Sequence, residues 1–203
     1  MALVDSYDGF IFDYGGVLVH HQTSAEQQQL AETAGVPSET LSELYWATRL
    51  DYDEGLVTGA EYWQRIAKGA GTLFQPDTID RLMEIDSVSW MHYDETMWEW
   101  IAQLRGLGKR IAMLSNMPSD LGETLKSRTD RLARFDHVTL SYEVSSVKPQ
   151  PAIYEHCLEG LGVPADRSIF FDDRIANCQG AEMLGLRAIE FLDRDAVLLQ
   201  MRG

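Results

Sequence analysis

The chain has 203 residues, with 17 Lys and Arg against 32 Asp and Glu, for a formal net charge of −15. That length suits one domain, or one domain with a modest insertion, and a hydrophobic share of 45% excludes a disordered or collagen-like chain. The acidic balance argues against nucleic acid or an anionic membrane as partner, since both want a basic face.

No apolar run approaches the roughly 18 residues needed to cross a bilayer. The N-terminus lacks the basic start and long apolar core of a signal peptide. Cys157 and Cys178 form no CxxC pair. A reduced, cytoplasmic setting is the expectation. The charge is uneven: residues 1–100 hold 18 acids and 4 bases, and residues 101–203 hold 14 acids and 13 bases.

In chain order, Gly9-Phe10-Ile11-Phe12-Asp13 reads as a buried strand stopped by a sharp turn at Gly15-Gly16. Val17-Leu18-Val19 then leads outward. From Gln22 to Ser89 the pattern is helical. Ser24 caps a helix that Gly35 ends, and Pro37-Ser38 starts another with Leu41, Leu44, Tyr45 and Thr48 on one face. Thr58 and Glu61 have capping-box spacing ahead of Tyr62, Trp63, Ile66 and Ala67. Pro76-Asp77 opens a further helix through Met83 and Ile85. After Asp94 strands and helices alternate. Strands are expected at Arg110–Ser115, His137–Ser141, Ser168–Asp172 and Arg187–Leu192. Helices are expected at 96–107, 119–127 (with Ser119 as N-cap), 151–161, 175–184 and 196–201.

That alternation predicts an α/β fold, a Rossmann-like parallel sheet with helices on both faces. Residues 1–21 and 90–203 would form the core, and 22–89 an inserted α-helical cap. The aromatic cluster of Trp90, Met91, Tyr93, Met97, Trp98 and Trp100 reads as packing where the cap returns to the core.

In an open parallel sheet, ligands bind at the carboxyl ends of strands. Asp13 ends the first strand, Ser115-Asn116 the second, and Asp172-Asp173 the fourth, while Lys148 follows the third. Three acids, a hydroxyl, an amide and a lysine are thus expected on one rim. Each fragment alone has a plain explanation: turn-capping acids, polar loop residues, a solvated lysine.

Together, Phe12-Asp13-Tyr14-Gly15-Gly16-Val17, Leu114-Ser115-Asn116, Lys148-Pro149, and Phe171-Asp172-Asp173 with Asn177 and Gly180-Ala181 resemble the four motifs of the haloacid dehalogenase (HAD) superfamily. The resemblance spans essentially the whole chain. It implies a Mg²⁺-dependent hydrolase acting on a small phosphorylated metabolite through an aspartyl-phosphate. It implies Asp13 as nucleophile, and Asp13, the Gly15 carbonyl and Asp173 as metal ligands, with Asp172 held behind them. Ser115, Asn116 and Lys148 would hold the phosphoryl group, and Asn177 would bond Asp173 or Lys148. Mid-cap residues Trp46, Arg49, Tyr52, Asp53 and Glu54 stand where the family selects substrates, Arg49 first among them.

Gly15 departs from the usual pattern, in which a second Asp protonates the leaving group and then activates water. A phosphatase subgroup of the family carries the same Asp-x-Gly. His20 and His21 follow the first strand closely and read first as exposed hairpin histidines, with replacement of the missing acid as the alternative. Two rival expectations remain open. One is a metal-independent 2-haloacid dehalogenase with Arg49 binding the carboxylate, although such enzymes carry a Ser-Ser-Asn-like segment where this chain has Asp172-Asp173-Arg174. The other is a non-catalytic binding protein. The partners expected are a small phosphoester, no nucleic acid and no membrane, with the oligomeric state open.

Overall fold

A computed structural model describes residues 3–202. Five strands form one sheet: β1 (Gly9–Phe12), β2 (Arg110–Ser115), β3 (His137–Leu140), β4 (Ser168–Asp172) and β5 (Arg187–Glu190). Their order is β3-β2-β1-β4-β5, and every pairing is parallel. β1 is central and buried along its whole length. That is why Gly-Phe-Ile-Phe reads as a continuous apolar run rather than an alternating one.

Phe12 pairs with Met113 on one side and Phe171 on the other. The carboxyl ends of β1, β2 and β4 therefore finish at nearly one level. The chain runs outward from β1 through β2 and β3, then returns to β4 and β5 on the other side. Such a reversal opens a crevice at the strands' carboxyl ends.

Side chains alternate across the sheet. Phe10, Phe12, Ile111, Met113, Ile169 and Phe171 face α6 (Glu95–Gly106) and α11 (Arg194–Arg202). Ile11, Ala112, Leu114 and Phe170 face α9 (Pro151–Leu161) and α10 (Ile175–Glu182). Trp98 and Trp100 of α6 are buried against the first face, so the aromatic cluster packs as expected. The parallel sheet covered on both faces agrees with the expected fold class.

Between β1 and α6 lie five helices: α1 (Ser24–Ala34), α2 (Ser38–Ala47), α3 (Arg49–Asp53), α4 (Gly59–Gly69) and α5 (Pro76–Ser89). They enclose a separate apolar cluster that includes Leu30, Leu41, Tyr45, Tyr62, Trp63, Ile66 and Leu82. Two further helices, α7 (Ser119–Arg128) and α8 (Ser141–Val144), follow β2 and β3. Among the described residues no helix is long and apolar enough to cross a membrane.

Several local expectations need correction. Thr23, not Ser24, caps α1, because its hydroxyl accepts from Glu26 N while the Glu26 carboxylate accepts from Thr23 N. Pro118 holds the cap position of α7, and Ser119 is its first helical residue. The helix after Pro37 stops at Ala47: the Thr48 hydroxyl bonds back to Leu44 O at 2.9 Å, and α3 starts afresh. Val17, Leu18 and Val19 are buried rather than leading outward, with Val19 bridged to Tyr93. Ser141 begins α8 instead of ending β3, and β5 ends at Glu190, leaving Leu192 exposed.

Candidate functional site

Asp13 is the first residue past β1, its N–H still donating to Phe171 O at 2.9 Å. Asp172 ends β4 and Asp173 follows it. One oxygen or more of each of Asp13, Asp172 and Asp173 lies within 4.8 Å of the others. Lys148 enters this cluster from the connection after α8. Its ammonium sits 2.7 Å from Asp13 Oδ1 and 2.7 Å from Asp172 Oδ2, and donates to Leu114 O at 3.1 Å.

Asn116 holds that lysine in place. Its Oδ1 accepts from Lys148 N at 2.8 Å and its Nδ2 donates to Lys148 O at 3.1 Å. The amide expected to orient a phosphoryl group thus spends both ends on the Lys148 backbone, with one N–H left over. Ser115 is freer. Its hydroxyl makes only a 3.5 Å contact with Asn116 O, too long for a good O–H···O bond.

Asp172 is fully buried and saturated. It accepts from Lys148, from Arg174 N at 2.8 Å, and from Asn177 Nδ2 at 2.9 and 3.1 Å. Asn177 therefore bonds Asp172, not Asp173 or Lys148, because the first turn of α10 brings it back beneath the end of β4. Asp173 is partly exposed to the cleft, 3.2 Å from His21 Nε2.

The electrostatics follow from three carboxylates around one ammonium. Burial pushes the Asp13 carboxyl up to about 7; Asp172 and Asp173 push the same way and Lys148 opposes them. Burial also acts to raise Asp172, but Lys148 and its hydrogen-bond donors outweigh this and hold it below the usual carboxylate range. Burial works against the Lys148 ammonium, yet Asp13 and Asp172 keep its pKa above the ordinary lysine value. The Asp173 hydrogen bond raises His21 despite partial burial. A cluster of hard oxygen donors with surplus negative charge is suited to a small divalent cation.

The turn after β1 is shaped around this cluster. Gly16 has φ +74°, and a Cβ there would stand 2.7 Å from Asp173 Oδ2. A Cβ on Gly15 would meet the Trp90 ring at 3.3 Å. The space where a second acid would project is therefore crowded by an indole, which would have to shift by a few tenths of an ångström.

Asp13, Gly15, Ser115, Asn116, Lys148, Asp173 and Asn177 line a cavity of about 150 Å³, with Asp172 and Gly16 behind its wall. Its far wall comes from the helical insertion: Trp46, Arg49, Leu50 and Asp53. Of the mid-insertion residues singled out above, Tyr52 and Glu54 stay outside the cavity. Tyr52 instead donates to Asp120 Oδ2 at 2.5 Å, tying α3 to the start of α7. Arg49 does not reach into the cleft as a free cation. It is buried between Asp53 at 2.7 Å and Asp86 at 3.3 Å. His20 is exposed outside the cavity, whereas His21 lines it. Trp90, Met117, Leu121 and Arg174 also line it and were not expected there. Trp90 reads as pure packing in sequence because nothing local shows that one face of a buried indole borders a cleft.

A family model described as haloacid dehalogenase-like hydrolase matches residues 7–185. The sesquiterpene phosphatase astK of Aspergillus oryzae is 22% identical over 199 residues, covering 97% of this chain and 96% of that protein. The drimenol cyclase drtB of Aspergillus calidoustus is 24% identical over 191 residues, covering 94% of this chain, but the chain spans only 35% of that protein's length. Among solved structures, the magnesium complex of the HAD family enzyme bt-2542 from Bacteroides thetaiotaomicron superposes with a TM-score of 0.77 at 20% identity, covering 96% of this chain and 98% of that one.

Proposed function

Since the chain belongs to the haloacid dehalogenase-like hydrolase family, we propose that it is a Mg²⁺-dependent phosphatase of small phosphomonoesters. The observation that carries this reading is the lysine shared by two carboxylates. Lys148 bridges Asp13 and Asp172 beside the partly exposed Asp173, with the spare Ser115 hydroxyl on the same rim. That is a nucleophile, a cation for the transferred group and a donor, around a cluster with room for metal charge.

Asp13 Oδ attacks phosphorus, and the bond to the leaving oxygen breaks, leaving an aspartyl-phosphate. Lys148 and the Ser115 hydroxyl stabilise the phosphoryl oxygens as charge builds. Water then attacks the same phosphorus, releasing phosphate and restoring the Asp13 carboxylate. Asp13, Asp173 and the Gly15 carbonyl are the residues to hold Mg²⁺, which when bound offsets the charge of the phosphoryl oxygens and the carboxylates.

The substrate reading comes from the far wall. Trp46 and Leu50 are large apolar side chains left 48% and 55% exposed. Arg49, on the same wall, is already neutralised by Asp53 and Asp86. This wall suits an apolar organic group better than a sugar or a second anion. The relative named as a sesquiterpene phosphatase supports the same direction. The committed Arg49 and the retained Asp172-Asp173 pair both speak against the dehalogenase reading.

A panel of alkyl, aryl and sugar phosphates, with Mg²⁺ and with EDTA, tests the proposal. Mg²⁺-dependent phosphate release, fastest on alkyl and aryl esters, is expected. No release across the panel with Mg²⁺ binding retained would turn the reading to a binding protein.

Metal binding should be linked to pH through Asp13. Its carboxyl moves from 3.8 to about 7 on folding, so across that window the folded chain keeps a proton that the unfolded chain has released. This group's contribution to stability therefore falls as pH rises through the window. A cation competes with that proton. The rise in melting temperature on adding Mg²⁺ should be larger near pH 8 than near pH 5. Equal rises in a thermal scan at both pH values would contradict the metal placement.

Gly15→Asp restores the family's usual residue but pushes its Cβ against Trp90. It should therefore bring no selective gain on esters with poor leaving groups. Kinetics showing a gain on alkyl over aryl esters would show that the indole yields.

A further inference from the structure

We propose that Asp53, on α3 of the helical insertion, is the general acid and base of this site, in place of the side chain that Gly15 lacks. The proposal rests on the phosphatase reading above and deepens it.

Three side chains buried in the insertion carry the argument. Asp53 and Asp86 share the single guanidinium of Arg49, and the three side chains are only 11%, 4% and 8% exposed, respectively. Two carboxylates and one cation leave a surplus negative charge in a poorly solvated place, which a proton relieves. The hydrogen bonds decide where that proton sits. Asp86 is filled with donors: Tyr45 Oη at 2.7 Å and Gln22 Nε2 at 2.9 Å on Oδ1, and Arg49 Nη1 on Oδ2. Both Asp86 oxygens are thus already occupied by donors. Asp53 has one side-chain donor, Arg49 Nε on Oδ1, and its Oδ2 has no partner among the described residues. Asp86 does not border the cavity, whereas Asp53 lines it. The proton therefore belongs on Asp53 Oδ2, the oxygen left without a partner on a residue that lines the cavity.

The groups facing Asp53 act in both directions. Burial raises its pKa, Arg49 opposes, Asp86 raises it, and Arg174 from the core lowers it, with a net rise. Tyr45 and Tyr62, packed around Arg49, stay neutral: burial pushes both hydroxyls far up.

Position is set by a strap between α3 and the phosphate-side loop. The Ser141 hydroxyl donates to Asp53 O and accepts from Met117 N at 2.9 Å, directly after Ser115-Asn116. Asp53 is thus one link from the loop that carries Ser115, and it lines the same cavity as Asp13. In the first step the Asp53 proton goes to the leaving oxygen as the P–O bond breaks, giving the alcohol and the Asp53 carboxylate. In the second, the attacking water gives its proton to that carboxylate as the P–O bond to Asp13 breaks. The cycle ends with both groups restored.

The test is Asp53→Asn in the full chain with Mg²⁺, assayed on monoesters graded by leaving-group pKa from 4-nitrophenyl phosphate to a simple alkyl phosphate. The value of kcat/KM reads the first step alone. It should fall by about 10²-fold or more on the alkyl ester and far less on the aryl ester, steepening the leaving-group dependence. On 4-nitrophenyl phosphate the variant should give a burst of nitrophenolate before slow turnover, because water then lacks its base. Equal losses along the series with no burst mark a structural role and overturn the proposal, as does no loss. If the variant fails to fold, the unsubstituted protein still decides: a shallow leaving-group dependence supports a proton donor, and a steep one overturns it. Asp13→Asn on the same series separates the two levels. Retained phosphate release there removes Asp13 as nucleophile and the two-step scheme in which Asp53 acts, whereas no release by the unsubstituted protein removes the phosphatase reading itself.

Discussion

Asp13→Asn is expected to lower kcat/KM for every phosphomonoester by at least about 10⁴-fold while leaving the fold intact. The loss is large because the amide oxygen neither attacks phosphorus nor forms the acylphosphate. The fold should survive because Lys148 keeps Asp172, at 2.7 Å, and the Asn116 clasp on its backbone. Without metal the variant should even melt slightly higher. Asp13 is a carboxyl that burial and two acidic neighbours disfavour in its charged form. Neutralising it removes that repulsion, as expected where function and stability pull apart. Activity within tenfold of the parent, or a clear drop in melting temperature in EDTA, would contradict this account.

Lys148→Met is expected to damage both properties. The ammonium is buried between two carboxylates, and a methionine of similar length leaves Asp13 and Asp172 facing each other with no cation. Breaking a buried ion pair by removing one partner costs about 3–5 kcal/mol. For a chain of this size that lowers the melting temperature by roughly 6–20 °C. Activity should fall by a further ~10²–10³-fold through lost transition-state charge stabilisation. Mg²⁺ should recover part of the stability and little of the activity, since it replaces charge near Asp13 but not the donor aimed at the transferred group. Calorimetry with and without Mg²⁺, alongside steady-state kinetics, separates the two effects. A variant as stable as the parent in EDTA would show that Lys148 does not hold the carboxylates together.

The rim was legible in sequence because its residues end short apolar runs. Phe-Ile-Phe before Asp13, Ile-Phe-Phe before Asp172 and Met-Leu before Ser115 are buried strands whose polarity changes at the last residue. A parallel sheet brings such ends together. The helical insertion was legible as helices but not as a wall. Arg49 reads as a free specificity cation, because neither partner identifies itself. Asp53 is one helical turn away on the same face, and Asp86 lies 37 residues further on in another helix. Asn177 sits on the helix the sequence indicates but meets Asp172 rather than Asp173, since spacing fixes a face and not which of two adjacent carboxylates it meets. The indole over Gly15 was hidden for the same reason: Trp90 meets that turn only after the whole insertion has folded back.

The central claim is a covalent aspartyl-phosphate on Asp13, and it can be trapped. The protein would be mixed with 4-nitrophenyl phosphate and Mg²⁺, quenched in acid within the first turnover, reduced with borohydride and mapped by peptide mass. Modification confined to the peptide bearing Asp13, and absent without Mg²⁺, is the predicted result. Rapid phosphate release with Asp13 unmodified, or a phosphoryl group found on another residue, would contradict it.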